Sequence, residues 1–241
     1  MIVRAGRCFF RHRNGFFPFA FLLVLLPGPR IFPNPLLAAA VGCAIAAVGQ
    51  ALRAATIGLC YVIRGGKARR VYAEDLVTQG LYGHCRNPMY SGNLLILAGV
   101  AVASNSWGCV ATAVPMFLFV YVAIVAAEEN YLRNTFNGQF ERYVRETPRW
   151  LFRLHGLGGT LLKTRFHWRR VLVKEYGTPC GWIAGICSIA LWNLHRIEPL
   201  DLNTLDSNTL AANRLVIVLL IVALLWTLIR VLKKSRRLVA D

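Results

Sequence analysis

Acidic residues are scarce in this chain. Of its 241 residues only 11 are Asp or Glu, against 28 Lys and Arg, which gives a formal net charge of +17. Charged residues of both signs make up only 16%, whereas 56% are hydrophobic and the mean hydropathy is +0.47. This composition excludes an intrinsically disordered chain and disfavours a water-soluble domain, which needs more polar surface. A basic, apolar chain is typical of a membrane protein, provided that its apolar residues come in long blocks.

Several motifs of soluble enzymes are also missing. The chain has no glycine motif of the kind that cradles a nucleotide phosphate. Its seven cysteines include four in apolar stretches, and Cys180 and Cys187 lack the spacing of a zinc site. We interpret the cysteines as small buried hydrophobic residues, and we predict neither a disulfide framework nor a metal site.

The apolar residues do form long blocks, and six of these are candidate membrane spans. We treat the first block as a retained helix rather than a signal peptide, because the apolar character continues past it without a cleavage junction. Only Asn105 and Ser106 separate the third block from the fourth, which predicts a helical hairpin. The sequence therefore predicts an all-α, polytopic membrane helix bundle with spans at residues 16–31, 36–63, 88–104, 107–127, 180–194 and 212–232.

The distribution of Lys and Arg predicts how these spans are oriented. Residues 1–15, 64–87, 128–177 and the C-terminal stretch that starts at Arg230 hold 24 of the 28 basic residues. Cytoplasmic loops are enriched in such residues, so we expect both termini in the cytoplasm and the protein in the inner membrane of the cell. Arg30, Arg196 and Arg214 fall on the opposite side. The net positive charge is thus explained by basic residues in the predicted cytoplasmic segments of a membrane protein. We therefore predict no nucleic-acid partner.

We interpret the chain as a single integral membrane domain, residues 1–241, whose oligomeric state the sequence does not predict. Residues 163–174 combine basic and aromatic side chains and are either an interfacial amphipathic helix or a plain cytoplasmic loop. The loop at 195–211 receives no function. Within the domain we distinguish two N-terminal spans (1–63), a central region (64–152), a basic cytoplasmic segment (153–177) and two C-terminal spans (178–241).

Chemistry is concentrated just before the predicted hairpin, in residues 80–92. Pro88 suits the first turn of a helix, whose free N–H groups favour an anionic ligand group. Arg86 adds a cation with a planar donor fork. The alternative is a loop that orients the helix, with Arg86 facing lipid phosphates.

A second polar cluster follows the hairpin. Glu128 and Glu129 are adjacent carboxylates at a membrane boundary, and an antiparallel hairpin brings them near Arg86. A pair between Glu129 and Arg133, four residues apart on one helix face, is the local alternative. Arg53 lies within an apolar span, where an arginine either lines a site or has a structural partner.

Together these motifs resemble the membrane methyltransferases that modify isoprenylcysteine carboxylates and phospholipid amines. The family has an Arg-His-Pro-x-Tyr-x-Gly block before a hairpin, two glutamates after it, and a Leu-Arg-x-x-Phe stretch that ends in Pro-Arg. In this chain the block starts at Arg86 and has Asn87 in place of His. The two glutamates are Glu128 and Glu129. The final stretch runs from Leu132 to Arg149 and has Asn137 as an insertion. The similarity covers about residues 48–152.

The resemblance implies S-adenosylmethionine as the cofactor. The positions that match the family's motifs, together with their neighbours in the same segment, would form the cofactor site: Tyr82, His84, Arg86, Asn87, Pro88, Tyr90, Gly92 and Glu129. Asn87 can hydrogen-bond a cofactor but cannot titrate, so it receives no acid–base role.

The acceptor would be a lipid-like or lipidated molecule, reached from the bilayer at the cytoplasmic face. A carboxylate acceptor of the isoprenylcysteine type needs an orienting cation, for which Arg53 and Arg149 are candidates. An amine acceptor must lose a proton, for which Glu128, Glu129 or His84 is available. A phospholipid or small-molecule N- or S-methyltransferase, a membrane reductase and a non-catalytic membrane protein with the same fold are the alternatives.

Overall fold

The structure is a computed structural model that describes residues 1–60, 73–197 and 206–235. All of the regular elements in these ranges are helical, which confirms the predicted all-α class for the part of the chain described. The eight α-helices are α1 (Ile2–Ala20), α2 (Pro35–Leu59), α3 (Pro88–Ala103), α4 (Trp107–Glu146), α5 (Leu157–Lys163), α6 (Trp168–Glu175), α7 (Gly177–Ile197) and α8 (Ser207–Lys234).

Three of these helices, α2, α4 and α8, are long and apolar enough to cross a membrane. Helix α3 is apolar but has only 16 residues. The predicted hairpin is confirmed, because α3 and α4 are joined by a tight turn in which Asn105 takes a positive φ of 56°. The total of six spans and the cytoplasmic placement of the termini stay predictions.

The helices differ in extent from two of the predicted blocks. The block at 16–31 is not one helix, because α1 starts at Ile2 and is followed only by a 3₁₀ segment, Phe21–Leu25, before the prolines. Most of the residues that precede this block therefore belong to α1. The span predicted to stop at residue 127 continues as α4 to Glu146, with non-helical angles at Asn137 (φ 44°, ψ −118°). The end of the block at 36–63 lies outside the described residues.

The chain folds as two compact units, which we call unit 1 (Met1–Leu22, Ala51–Leu94 and Pro115–His167) and unit 2 (Leu23–Gln50, Leu95–Val114 and Trp168–Asp241). In unit 1, α1 packs on α4 through aromatic rings. The ring centroids of Phe17 lie 5.8 Å from those of Phe117 and Tyr121, and Phe9 meets Phe119 at 6.2 Å. Such pairs add specificity to apolar burial.

Unit 2 is built on close helix contact between small residues. Its buried core contains Ala39, Ala46, Val100, Ala103, Ile186 and Ala190. Gly42 of α2 and Gly99 of α3 face each other so closely that a Cβ at Gly99 would lie 2.7 Å from the backbone nitrogen of Ala46. Small residues let helix backbones approach in this way, which maximises van der Waals contact within a membrane.

Gly99→Ala should therefore destabilise the protein by about 1–3 kcal/mol, because the added methyl group meets backbone atoms that cannot move aside. The measurement is the apparent midpoint of thermal unfolding in detergent. Gly181→Ala is the matched control, since a Cβ at that position in α7 meets nothing within 4 Å. Equal midpoints for the two variants would contradict the close packing of α2 and α3.

Candidate active site at the start of the helical hairpin

In unit 1 the segment before α3 is hydrogen-bonded to the segment that follows α4. The backbone N–H of Arg86 donates to the carbonyl oxygen of Pro148 (2.9 Å), and the side-chain amide of Asn87 donates to that of Arg149 (3.1 Å). The buried thiol of Cys85 lies 3.5 Å from the carbonyl oxygen of Trp150, and burial raises its pKa, so it stays a protonated structural thiol. These bonds fix the position of both segments.

The centre of the site is the carboxylate of Glu129. Its Oε1 lies 3.1 Å from Nη1 of Arg86. Both of its oxygens also accept hydrogen bonds from the guanidinium of Arg149, and the distance from Nε of Arg149 to Oε1 is 3.1 Å. The side chains of Glu129 and Arg86 are only 6% and 11% exposed, whereas that of Arg149 is 44% exposed. A carboxylate this buried needs paired cations, and here it has two.

Arg86 has one donor to spare. Its Nε is buried and makes no hydrogen bond with the described residues. A buried N–H without an acceptor is costly, so an unpaired one at a cluster of charges points to a further binding partner. An anionic group placed beside Arg86 would satisfy this atom.

A second polar group in unit 1 surrounds Glu128. The hydroxyl of Tyr90 donates to its Oε1 at 2.6 Å. The ring of Tyr90 lies 5.3 Å from that of Tyr121, whose hydroxyl lies near Asn93 and Arg53. Nη1 of Arg53, a residue only 7% exposed, also donates to Asn93. The structure thus links Arg53 with Tyr90 and Glu128.

His84, Tyr82 and Gly92 lie nearby but have different surroundings. The ring nitrogens of His84 contact the carbonyl oxygen of Arg153 and the hydroxyl of Thr160, each at 2.8 Å, so both face protein groups. The carbonyl of Tyr82 accepts from the hydroxyl of Tyr143 at 2.7 Å. Pro88 and Gly92 are buried at the start of α3. The contacts of His84 favour a structural role over a proton-transfer role.

A cavity of 520 Å³ opens beside these residues in unit 1. Its volume falls within the range of cofactor and small-molecule pockets. Polar and charged side chains dominate its wall, with an aromatic ring at one side. The residues that line it are Leu76, Thr78, Gly83, Gly138, Gln139, Arg142, Tyr143, Glu146, Thr147 and Arg153.

The structure corrects one predicted pair and adds residues that sequence reasoning missed. Arg133 does not pair with Glu129, because its Nε lies 2.6 Å from Glu141 at the surface. Asn93 and Tyr121 were missed, although a lone polar residue within an apolar block is a usable signal. Arg13, whose charge acts on Glu128, was counted only among the basic residues of the stretch 1–15.

Comparison with known proteins shows that residues 37–139 match the family model of phospholipid methyltransferases. A cobalt-zinc-cadmium resistance protein of Cupriavidus metallidurans is 35% identical over 81 residues, which are 34% of this chain and 37% of the relative. A nickel-cobalt-cadmium resistance protein of Alcaligenes xylosoxydans xylosoxydans is 32% identical over 82 residues, 34% and 38% of the two chains.

A third relative is protein-S-isoprenylcysteine O-methyltransferase B of Arabidopsis thaliana, 35% identical over 83 residues, 34% of this chain and 42% of the relative. The chain thus spans about two fifths of the length of these relatives. No solved structure matches it. The matches support the resemblance seen in the sequence, since residues 37–139 are similar to the phospholipid methyltransferase family and one relative is an isoprenylcysteine methyltransferase.

The unequal burial of the two arginines predicts unequal effects on stability. Glu129→Gln leaves the buried charge of Arg86 without a counterion, so we expect a loss of about 3–5 kcal/mol. Arg149→Gln leaves Glu129 paired with Arg86 and should cost about 1 kcal/mol or less. Thermal unfolding in detergent measures both effects. Arg133→Gln, which breaks an exposed pair, is the control, and a Glu129→Gln protein as stable as that control would refute a buried clamp.

Proposed function

We propose that this protein is an integral membrane methyltransferase that uses S-adenosylmethionine and modifies a lipid-like or lipidated acceptor. The observation that carries the proposal is the buried clamp of Arg86 and Arg149 on Glu129, with the spare N–H of Arg86 beside it. This clamp begins within the region that matches a methyltransferase family and lies at the start of its helical hairpin.

The residues present fit S-adenosylmethionine. The cofactor has a carboxylate, an ammonium group and an aromatic base. The buried Nε of Arg86 is suited to the carboxylate, and acidic and aromatic groups such as Glu146 and Tyr143 line the neighbouring cavity. When bound, the cofactor supplies an electrophilic methyl group on a sulfonium ion. The protein's own contribution is to hold the reactants in line and to exclude water.

We assign Arg53 to the acceptor rather than to the cofactor. Its guanidinium is buried in an apolar helix and is held by Asn93, beside Tyr121. An arginine kept at this depth is suited to bind an anionic acceptor group such as a carboxylate, which needs no base because it is already ionised at neutral pH. Arg149, which the sequence offered as an alternative, is engaged with Glu129.

Glu128 and Tyr90 support the amine alternative. Their 2.6 Å hydrogen bond places a carboxylate and a phenol together in the same polar group as Arg53. A carboxylate in this position is suited to accept the proton that an amine must lose. Dependence of turnover on Arg53 therefore indicates a carboxylate acceptor, and dependence on Glu128 indicates an amine acceptor. The asymmetry of basic residues supports a cytoplasmic site in the inner membrane.

Purified protein should transfer labelled methyl groups from S-adenosylmethionine to one fraction of a host membrane extract that is separated into lipid, protein and small molecules. Arg86→Gln should reduce this transfer by about 100-fold or more, because a misplaced cofactor loses its reactive alignment. Scintillation counting of each fraction identifies the acceptor class.

Arg145→Gln is the matched control, since this exposed arginine lies near the end of α4, outside the clamp and the cavity lining, and should leave transfer unchanged. Absence of label in every fraction, together with no cofactor binding by calorimetry, would refute the enzyme and favour a non-catalytic membrane protein. Label that is transferred equally by Arg86→Gln would refute the assigned site.

A pair of variants decides the chemistry of the acceptor. With a carboxylate acceptor, Arg53→Gln should lower turnover by on the order of 100-fold while cofactor affinity changes less than about threefold, whereas Glu128→Gln should have little effect. With an amine acceptor the order reverses, since loss of a general base costs about 100-fold to 10,000-fold. Turnover and cofactor affinity are measured for both, and retained affinity shows that the variant is folded. Unchanged turnover in Arg53→Gln would exclude the carboxylate version.

A further inference from the structure

Unit 2 contains a separate cavity of 320 Å³ that the proposed methyl transfer does not use. Two arginines, Arg30 and Arg196, contribute to its wall, and no acidic residue is found among the described residues that line it. Both arginines are exposed and form no ion pair within the described part of the chain. Solvent-facing guanidinium groups that have no counterion among the described residues are suited to bind an anion.

The floor of this cavity is rigid. Asn105, in the hairpin turn, accepts from the backbone N–H groups of Ile31 and Phe32 at 3.1 and 2.8 Å. The backbone N–H of Trp107 donates to the carbonyl oxygen of Pro29 at 3.0 Å. These bonds flank Arg30 on both sides, so its backbone is fixed before any ligand arrives, which lowers the entropic cost of binding.

The second arginine is positioned by α7. The amide of Asn193 donates to the carbonyl oxygen of Ser104 at 3.1 Å, which ties the last turns of α7 to the end of α3. Arg196 follows three residues later, on the same side of the helix. Two loops and one helix end thus converge on a single polar cavity.

The cavity also lies at the start of two helices. Pro35, the first residue of α2, and Ser106, just before α4, both line it. The hydroxyl of Ser106 accepts from the backbone N–H of Cys109 at 3.3 Å and donates to the carbonyl oxygen of Leu26 at 2.9 Å. The positive ends of two helix dipoles therefore add to the charge of the arginines.

Tryptophans mark the surroundings of this cavity as a membrane interface. Trp192 lines it and is 53% exposed, and Trp107, at the start of α4, is 54% exposed. Exposed tryptophans beside long apolar helices are typical of the level of the lipid headgroups. An anion that reaches the cavity at this level is more readily a lipid phosphate than a phosphate free in solution.

We propose that this cavity binds the phosphate of an anionic phospholipid headgroup, held by Arg30 and Arg196. Its volume is at the lower end for ligand pockets and suits a headgroup rather than a whole lipid. The acyl chains would lie outside it, along the apolar surface. This site is independent of the proposed methyl transfer, since none of its residues belongs to the clamp on Glu129.

Binding to the detergent-solubilised full chain tests this proposal. The probes are dioctanoyl phosphatidylglycerol, dioctanoyl phosphatidylcholine and inorganic phosphate, each titrated and followed by native mass spectrometry. We expect phosphatidylglycerol to bind at least about tenfold more tightly than either of the others. The double variant Arg30→Gln/Arg196→Gln should weaken its binding by about tenfold or more, since two charge-assisted contacts are lost.

Arg214→Gln is the matched control, because this exposed arginine lies on the same predicted side of the membrane but does not line the cavity. It should change binding less than about twofold. Arg30→Lys/Arg196→Lys, which keeps the charge, should retain binding of phosphatidylglycerol within about threefold and so separates loss of charge from misfolding. Inorganic phosphate binding as tightly as the lipid would overturn the lipid assignment, and glutamine variants that bind like the unmodified protein would overturn the site.

Discussion

The buried carboxylate of Glu129 is the constraint on which unit 1 depends. A charge that is only 6% exposed is unfavourable without partners, so the fold has to bring Arg86 and Arg149 to it from two distant parts of the chain. Arg86 precedes α3, and Arg149 follows α4. The hairpin makes both reachable because its two helices run antiparallel. One ion cluster thus sets how the segments at the ends of the hairpin meet, and the bonds of Asn87 and Cys85 to the same segment reinforce it.

Asn87 stands where the similar family has a histidine, so this position has a side chain that cannot transfer a proton. Its amide donates to the backbone of Arg149, so it acts by holding the segment that carries the second arginine. An amide does not titrate, and the two ring nitrogens of His84 already face protein groups. Glu128, hydrogen-bonded to Tyr90, is the carboxylate near the start of α3 that is chemically suited to accept a proton. An acceptor that is already ionised would need none.

The helical class, the hairpin and the proximity of Arg86 to Glu129 could be predicted from the sequence, because apolar block length and a two-residue turn fix them. The second partner of Glu129, Arg149, could not be predicted. Spacing of four residues favoured Arg133, but that rule describes isolated helix surfaces and does not account for a cation from a segment that follows later in the chain. The helix over residues 2–15 was not predicted either. Its aromatic side chains pack against α4, and the local charge pattern does not reveal a contact with a distant part of the chain.

The two units contain buried polar groups of different kinds. In unit 2, Gln50 uses both ends of its amide, donating to Glu175 at 3.4 Å and accepting from Trp182 at 3.2 Å. An amide engaged at both ends in this way helps to fix the positions of its helices. In unit 1 the clamp leaves the Nε of Arg86 without an acceptor among the described residues. Buried polar atoms are normally satisfied, so this donor beside a cluster of charges is a candidate contact for an anionic ligand group.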